Sequence, residues 1–207
     1  MAKKTDNHNP EAKLKLRRHF LEKYHADGTA TVFDCCQGGG VMWDAIRRTH
    51  PVASYWGVDV KPKKGRLKID SIRVLQQGVS QDVIDIDTYG SPWKHWFAML
   101  PNIARSTTVF LTIGSTMFRG STDSAVLAAI GCTFSRIKLP ETFCGRLDAI
   151  GVEYALASGT RFATIIEAVE VSSTGNARYI GVRLEPKENR PPLQSVTCKQ
   201  TQIVKGS

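Results

Sequence analysis

Cysteine is scarce in this chain, and its placement excludes two kinds of protein. There are five cysteines, an odd number with no Cys-x-x-Cys pair, so neither a disulfide framework nor a zinc-ligand set is expected. A reducing, cytoplasmic setting without a metal site follows as the default. Long apolar runs are also missing. None reaches the length of a membrane span, and Met1 to Asn9 is too polar for a signal peptide, so no membrane association is expected. Acidic residues are the third shortage: 19 Asp and Glu stand against 28 Lys and Arg, a formal net charge of +9. Such a surplus suits a polyanionic partner, because Lys and Arg neutralise phosphates and release counterions. A soluble protein that is merely basic is the plainer alternative.

The remaining composition is that of a folded domain. The chain has 207 residues, 42% of them hydrophobic and 23% charged, enough for one sizeable core. Its organising stretch is Val32-Phe33-Asp34-Cys35-Cys36-Gln37-Gly38-Gly39-Gly40, where a short apolar strand ends in an acid and a glycine cluster follows. A helical pattern begins at once, with Met42, Ala45, Ile46 and Thr49 expected on one inward face and Arg47 and Arg48 in solvent. Gly38 and Gly40 allow a tight turn and close approach of a ligand. Open α/β sheets hold nucleotide-like cofactors in this way, beyond the carboxyl end of the first strand. A triple glycine is also compatible with a simple turn. Asp59 adds a second signal, since it ends the next apolar run about 20 residues on, where an acid can grip a ribose diol.

The third signal is Asp85-Ile86-Asp87-Thr88-Tyr89-Gly90-Ser91-Pro92. Asp34-x-x-x-Gly38-x-Gly40 resembles the first motif of class I S-adenosylmethionine-dependent methyltransferases, with Cys36 in place of the first glycine. Asp87-Thr88-Tyr89-Gly90-Ser91-Pro92 resembles their fourth motif, in the form found in enzymes that methylate exocyclic amines of nucleic acid bases. It is most similar to the motif of tRNA guanine dimethyltransferases, with Thr88 in place of the usual proline. The resemblance implies that S-adenosylmethionine is the cofactor and that Gly38, Gly40, Asp59 and Asp70 hold it. Asp34 shapes the loop or meets the methionine amine. Asp87 positions the acceptor amine, and Tyr89 stacks on the base. Asp70 fits this role if Leu67 to Ile69 is the third strand; its other reading is a helix cap before Ser71. Parallel neighbours usually need a crossover of a dozen or more residues, and only about six are available here. Either the intervening helix is missing or the strand lies elsewhere.

The flanking segments complete the expectation. Asn9 and Pro10 suit a helix start, and 10–26 carries an apolar stripe of Leu16, Phe20, Leu21 and Tyr24. Beside it runs a basic face of Lys13, Lys15, Arg17, Arg18 and Lys23, suited to a nucleic acid backbone or simply to solvent. Lys61, Lys63, Lys64 and Arg66, with Arg119, are the candidate phosphate contacts. Trp93, Trp96, Phe97 and Leu100 share a helical face that reads as core, and His95 reads as a surface residue. Phe143, Leu147, Ile150 and Tyr154 share another helical face. Phe162 to Val171 and Ala177 to Leu184 read as a hairpin.

The expected fold is thus α/β: a doubly wound, Rossmann-like methyltransferase sheet, mostly parallel, with a C-terminal antiparallel hairpin and helices on both faces. The expected organisation is an N-terminal basic helical extension over 1–28, the methyltransferase domain over 29–185 and a polar tail over 186–207. The expected partner is nucleic acid, RNA or DNA. A partner subunit could supply target recognition. The rivals are a methyltransferase of small molecules or proteins, and a non-catalytic nucleic-acid-binding module on the same fold.

Overall fold

In the computed structural model, residues 9–63, 66–88, 90–114, 152–172 and 177–187 are described. The strands are β1 (Thr31–Asp34), β2 (Ser54–Asp59), β3 (Leu67–Lys68), β4 (Val83–Ile86), β5 (Thr107–Gly114), β6 (Ala163–Ser172) and β7 (Ala177–Pro186). The helices are α1 (Pro10–Tyr24), α2 (Val41–Arg47), α3 (Ser71–Gln77) and α4 (Trp93–Met99), and residues 152–159 are also helical. One sheet results, in the order β3-β2-β1-β4-β5-β7-β6. Neighbours from β3 to β5 are parallel. β7 runs antiparallel to both β5 and β6, so the expected mostly parallel sheet with its closing hairpin is present.

Parallel strands are covered on both faces, which is why β4 and β5 are almost continuously buried. One core cluster joins Phe33, Ile84, Ile86, Val109 and Leu111 to Leu75 of α3, to Trp93, Trp96 and Met99 of α4, and to Val152 and Ala155. The opposite cluster joins Val32, Val83, Phe110 and Tyr179 to Leu16, Phe20 and Leu21 of α1 and to Trp43 and Ile46 of α2. Helices therefore cover both faces, as expected. α1 starts where its sequence indicates: Asn9 Oδ1 accepts from Ala12 N at 3.0 Å, with Pro10 in the first turn.

Several local expectations need correction. α2 buries Trp43 and Ile46, while Thr49 lies past its end and is exposed. The helix begins at Val41 as expected, but its inward face is centred on Trp43 and Ile46. Lys13 and Arg17 of α1 are buried, 5% and 1% exposed, because both fall on the inward stripe that contains Phe20. His95 is half-buried, with Nε2 3.0 Å from Ser71 Oγ. Tyr154 is exposed, and Val152 and Ala155 take the inward face instead. Phe143, Leu147 and Ile150 lie outside the described residues.

The third strand is where the sequence places it, and among the described residues no helix lies between β2 and β3. β3 pairs only with Val58 and Asp59, the last two residues of β2. The chain therefore has to climb back over only a short length of strand, and a loop is long enough to do it.

Candidate functional site

The loop after β1 is tied to both neighbouring strands. Gln37 N donates to Val58 O of β2 at 3.0 Å, and Cys35 N donates to Asp85 O of β4 at 2.9 Å. The carboxyl ends of three adjacent strands thus meet around the glycine cluster. Gly38 (φ +51°) and Gly40 (φ +74°) both take left-handed conformations, which side chains adopt only at a cost. A Cβ on Gly38 would meet nothing within 4 Å, so the loop leaves open space on that side. Asp59 Oδ2 accepts from Gly38 N at 3.0 Å, while its Oδ1 accepts from Lys61 N at 2.7 Å. The acid at the end of β2 is therefore fastened to the glycine cluster itself. These residues fit an adenosine-containing cofactor: a carboxylate for a ribose diol, beside a loop with room for close approach.

Asp34 shapes that loop. Its Oδ1 accepts from Cys36 N at 3.1 Å and its Oδ2 from the Tyr55 hydroxyl at 2.8 Å. Burial, and then the nearby Asp85 carboxylate, push the Asp34 carboxyl up to about 8. Cys36 marks the centre of convergence. Burial pushes its thiol up, and so do the carboxylates of Asp34, Asp59, Asp87 and Asp85.

Asp87 follows β4, and both its oxygens accept from Lys13 Nζ, at 2.7 and 2.8 Å. Arg17 Nη2 lies 4.0 Å from Asp87 Oδ2. Desolvation pushes the Asp87 carboxyl up, but Arg17, Lys13 and the Lys13 hydrogen bond outweigh it and hold the group below the usual carboxylate range. The turn after Asp87 is closed against β5, where Gly114 N donates to Gly90 O at 2.7 Å.

Asp34, Gly38, Gly40, Asp59 and Asp87 are thus brought to one rim. Asp70 is placed differently: its Oδ1 accepts from Ile72 N at 3.0 Å, capping α3. Arg66 folds over the glycine cluster, with Nη2 donating to Gly39 O at 3.1 Å and lying 3.4 Å from Asp44 Oδ2. Lys63 lies beside the same turn, since a Cβ on Gly39 would stand 3.1 Å from its Nζ. Lys61 is exposed. Tyr89, Lys64 and Arg119 lie outside the described residues.

Sequence reasoning missed the network beneath the rim. Asp85 accepts from Arg17 Nε and Nη2 and from Trp43 Nε1, each at 2.7 Å. A signal existed. An acid inside a buried strand needs a partner, and Lys13 and Arg17 stand at i and i+4 on the same face as Phe20.

No protein-family model matches this sequence, and no curated protein sequence matches it. Solved structures do resemble it. Trm1 from Pyrococcus horikoshii, in complex with S-adenosyl-L-methionine, superposes with a TM-score of 0.61 at 14% identity, covering 86% of this chain. The chain spans 56% of that protein's length. A protein assigned as a hemolysin from Lactococcus lactis gives a TM-score of 0.55 at 12% identity, covering 87% of this chain and 89% of that one. A Streptococcus thermophilus protein also assigned as a hemolysin gives 0.55 at 12% identity, covering 86% and 66%. The fold is that of the class I S-adenosylmethionine-dependent methyltransferases, as the motifs implied.

Proposed function

We propose that this chain is an S-adenosylmethionine-dependent methyltransferase acting on an exocyclic amine of a nucleic acid base. The observation that carries the reading is the joining of Asp59 to Gly38, 3.0 Å apart, on a rim shared with Asp87. The Trm1 structure, solved with S-adenosyl-L-methionine, supports the choice of cofactor. When bound, S-adenosylmethionine supplies an electrophilic methyl group.

The chain's own residues would do the rest. Gly38 and Gly40 form the cradle, Asp59 takes the ribose hydroxyls and Asp34 keeps the loop in shape; Asp70, with one oxygen capping α3, would border the adenine from beyond β3. An aryl amine is a poor nucleophile because its lone pair is delocalised into the ring. An N–H bond to the Asp87 carboxylate holds that nitrogen in place and stabilises the charge that develops on it. Tyr89 offers a stacking face for the base. Lys61, Lys63, Lys64, Arg66 and Arg119 are the proposed phosphate contacts, in keeping with the net charge of +9.

The test is incubation with methyl-labelled cofactor and a panel of transfer RNA, single- and double-stranded DNA and small acceptors, comparing wild type with Asp87→Ala. Label should enter base amines, less at high salt, and the variant should lose about 100-fold or more. Labelling only of small molecules or protein, or equal labelling by the variant, overturns the reading.

A further inference from the structure

The N-terminal helix reaches the reacting corner of the site through Lys13, with Arg17 standing 4.0 Å off. Lys13 Nζ donates to both oxygens of Asp87, at 2.7 and 2.8 Å. Its other side faces the Tyr179 ring, 5.3 Å from the centroid. The pair differs from its neighbour one turn on. Arg17 and Asp85 are sealed at 1% and 2% side-chain exposure, whereas Asp87 keeps 21% beside a Lys13 at 6%. Arg17 already anchors α1 to β4, so Lys13 is not needed to dock the helix. The anchor instead fixes where Lys13 starts, since the two stand at i and i+4 and Arg17 Nη1 donates to Lys13 O at 3.2 Å. Asp87 lies on a turn beyond its strand, where no backbone group among the described residues bonds its carboxylate. Two short bonds from one ammonium set the plane of that carboxylate. They also leave a lone pair on each oxygen for another donor.

We propose that Lys13 is a positioning residue for methyl transfer: its ammonium fixes the Asp87 carboxylate in the orientation that receives the acceptor amine. The inference rests on the methyltransferase reading above. The groups facing Asp87 are Lys13 and Arg17 from α1, Asp85 from β4, Thr112 from β5 and the Cys36 thiol from the loop after β1. Lys13 is the one that bonds both carboxylate oxygens. Held between two cations, Asp87 stays an ionised acceptor, so the amine proton released on methylation passes on to water instead of resting there. It follows that α1 is part of the active site, although it precedes the first strand.

Two measurements on the full chain test this. The first is the carboxyl titration of Asp87 by NMR on protein carrying labelled aspartate, assigned with Asp87→Asn. In Lys13→Met the midpoint should rise by about 1 pH unit or more, and in Lys13→Arg it should stay near the wild-type value. The second is methyl transfer to the best acceptor in the panel. Lys13→Met should lose about 100-fold in kcat with KM and cofactor affinity changed less than about threefold, and Lys13→Arg should recover part of the loss. Should Lys13→Met fail to fold, Lys13→Arg carries the test: with the charge kept and the geometry altered, its kcat should fall while its Asp87 titration does not. An unmoved Asp87 midpoint in Lys13→Met, or full kcat in both variants, overturns the proposal. Full activity in the Lys13 variants with none in Asp87→Ala removes Lys13 alone. Absence of transfer by wild type removes the enzyme reading, and the titration still reports whether Lys13 governs Asp87.

Discussion

Arg17 and Asp85, 68 positions apart, form a two-pronged ion pair with both contacts at 2.7 Å. It joins α1 to the middle of the sheet, with Trp43 of α2 as third donor to the same carboxylate. Taking both charges out of water is costly, and the pair survives because every strong donor and acceptor in it is engaged.

Removing one partner should therefore cost far more than removing a surface pair. Arg17→Met should destabilise the protein by about 3–5 kcal/mol, since it leaves Asp85 buried without its cation. Arg17→Met combined with Asp85→Asn should recover part of that loss. Urea denaturation of the three proteins checks both statements. A single variant within about 0.5 kcal/mol of wild type, the range of ordinary surface substitutions, would show that water reaches Asp85.

Much of this architecture can be read from residue order. The acid, the glycines and the two later acids stand at the carboxyl ends of β1, β2 and β4, and an alternation of apolar runs with turn residues marks those ends. The strands of the closing hairpin are equally plain, being long and apolar. The α1 cations and Trp43 were harder to read because a composition-based reading sends Lys and Arg to solvent and large aromatics wherever periodicity puts them. Their inward placement depends on partners 74, 68 and 42 residues away, which no local pattern contains. In the sequence, only the motif marks Asp87. That it would carry an ammonium from α1 follows only once both lie on the same face of the sheet.

Gly38→Ala separates the stability of the loop from its use. At φ +51°, with nothing within 4 Å of the added methyl group, the folded state should lose only about 1–2 kcal/mol from backbone strain. Affinity for S-adenosylhomocysteine should fall more than about tenfold, because the methyl group would occupy space the cofactor needs. Calorimetric titration beside a thermal melt measures the two effects. Unchanged affinity would mean that the open side of the loop is not the cradle.

Asp59→Ala acts on the same ligand through a different interaction. Two hydrogen bonds from the ribose to the Asp59 carboxylate would be lost, each worth about 1.5–3 kcal/mol, so the dissociation constant for S-adenosylhomocysteine should rise by at least about 100-fold. Folding stability should change by only about 1–2 kcal/mol, from the lost bonds to Gly38 N and Lys61 N. A large stability loss with intact affinity would make Asp59 a loop tether and nothing more.

Asp34 supplies the prediction that depends on pH. Its carboxyl is pushed up to about 8 in the fold, against an ordinary value of 3.8, first by burial and then by Asp85. Below the ordinary value both folded and unfolded chains hold the proton, and the group contributes no pH dependence. Between there and about 8 the folded chain keeps a proton that the unfolded chain has released, so rising pH erodes stability. Asp34→Asn removes that titration and keeps one oxygen that can accept from Cys36 N, while its amide NH2 can donate to the Tyr55 hydroxyl oxygen. The stability of the variant relative to wild type should therefore climb from pH 5 to about 8 and level off above it. Denaturation series for both proteins across that range give the difference at each pH, and two curves that run parallel would show that Asp34 is ionised throughout.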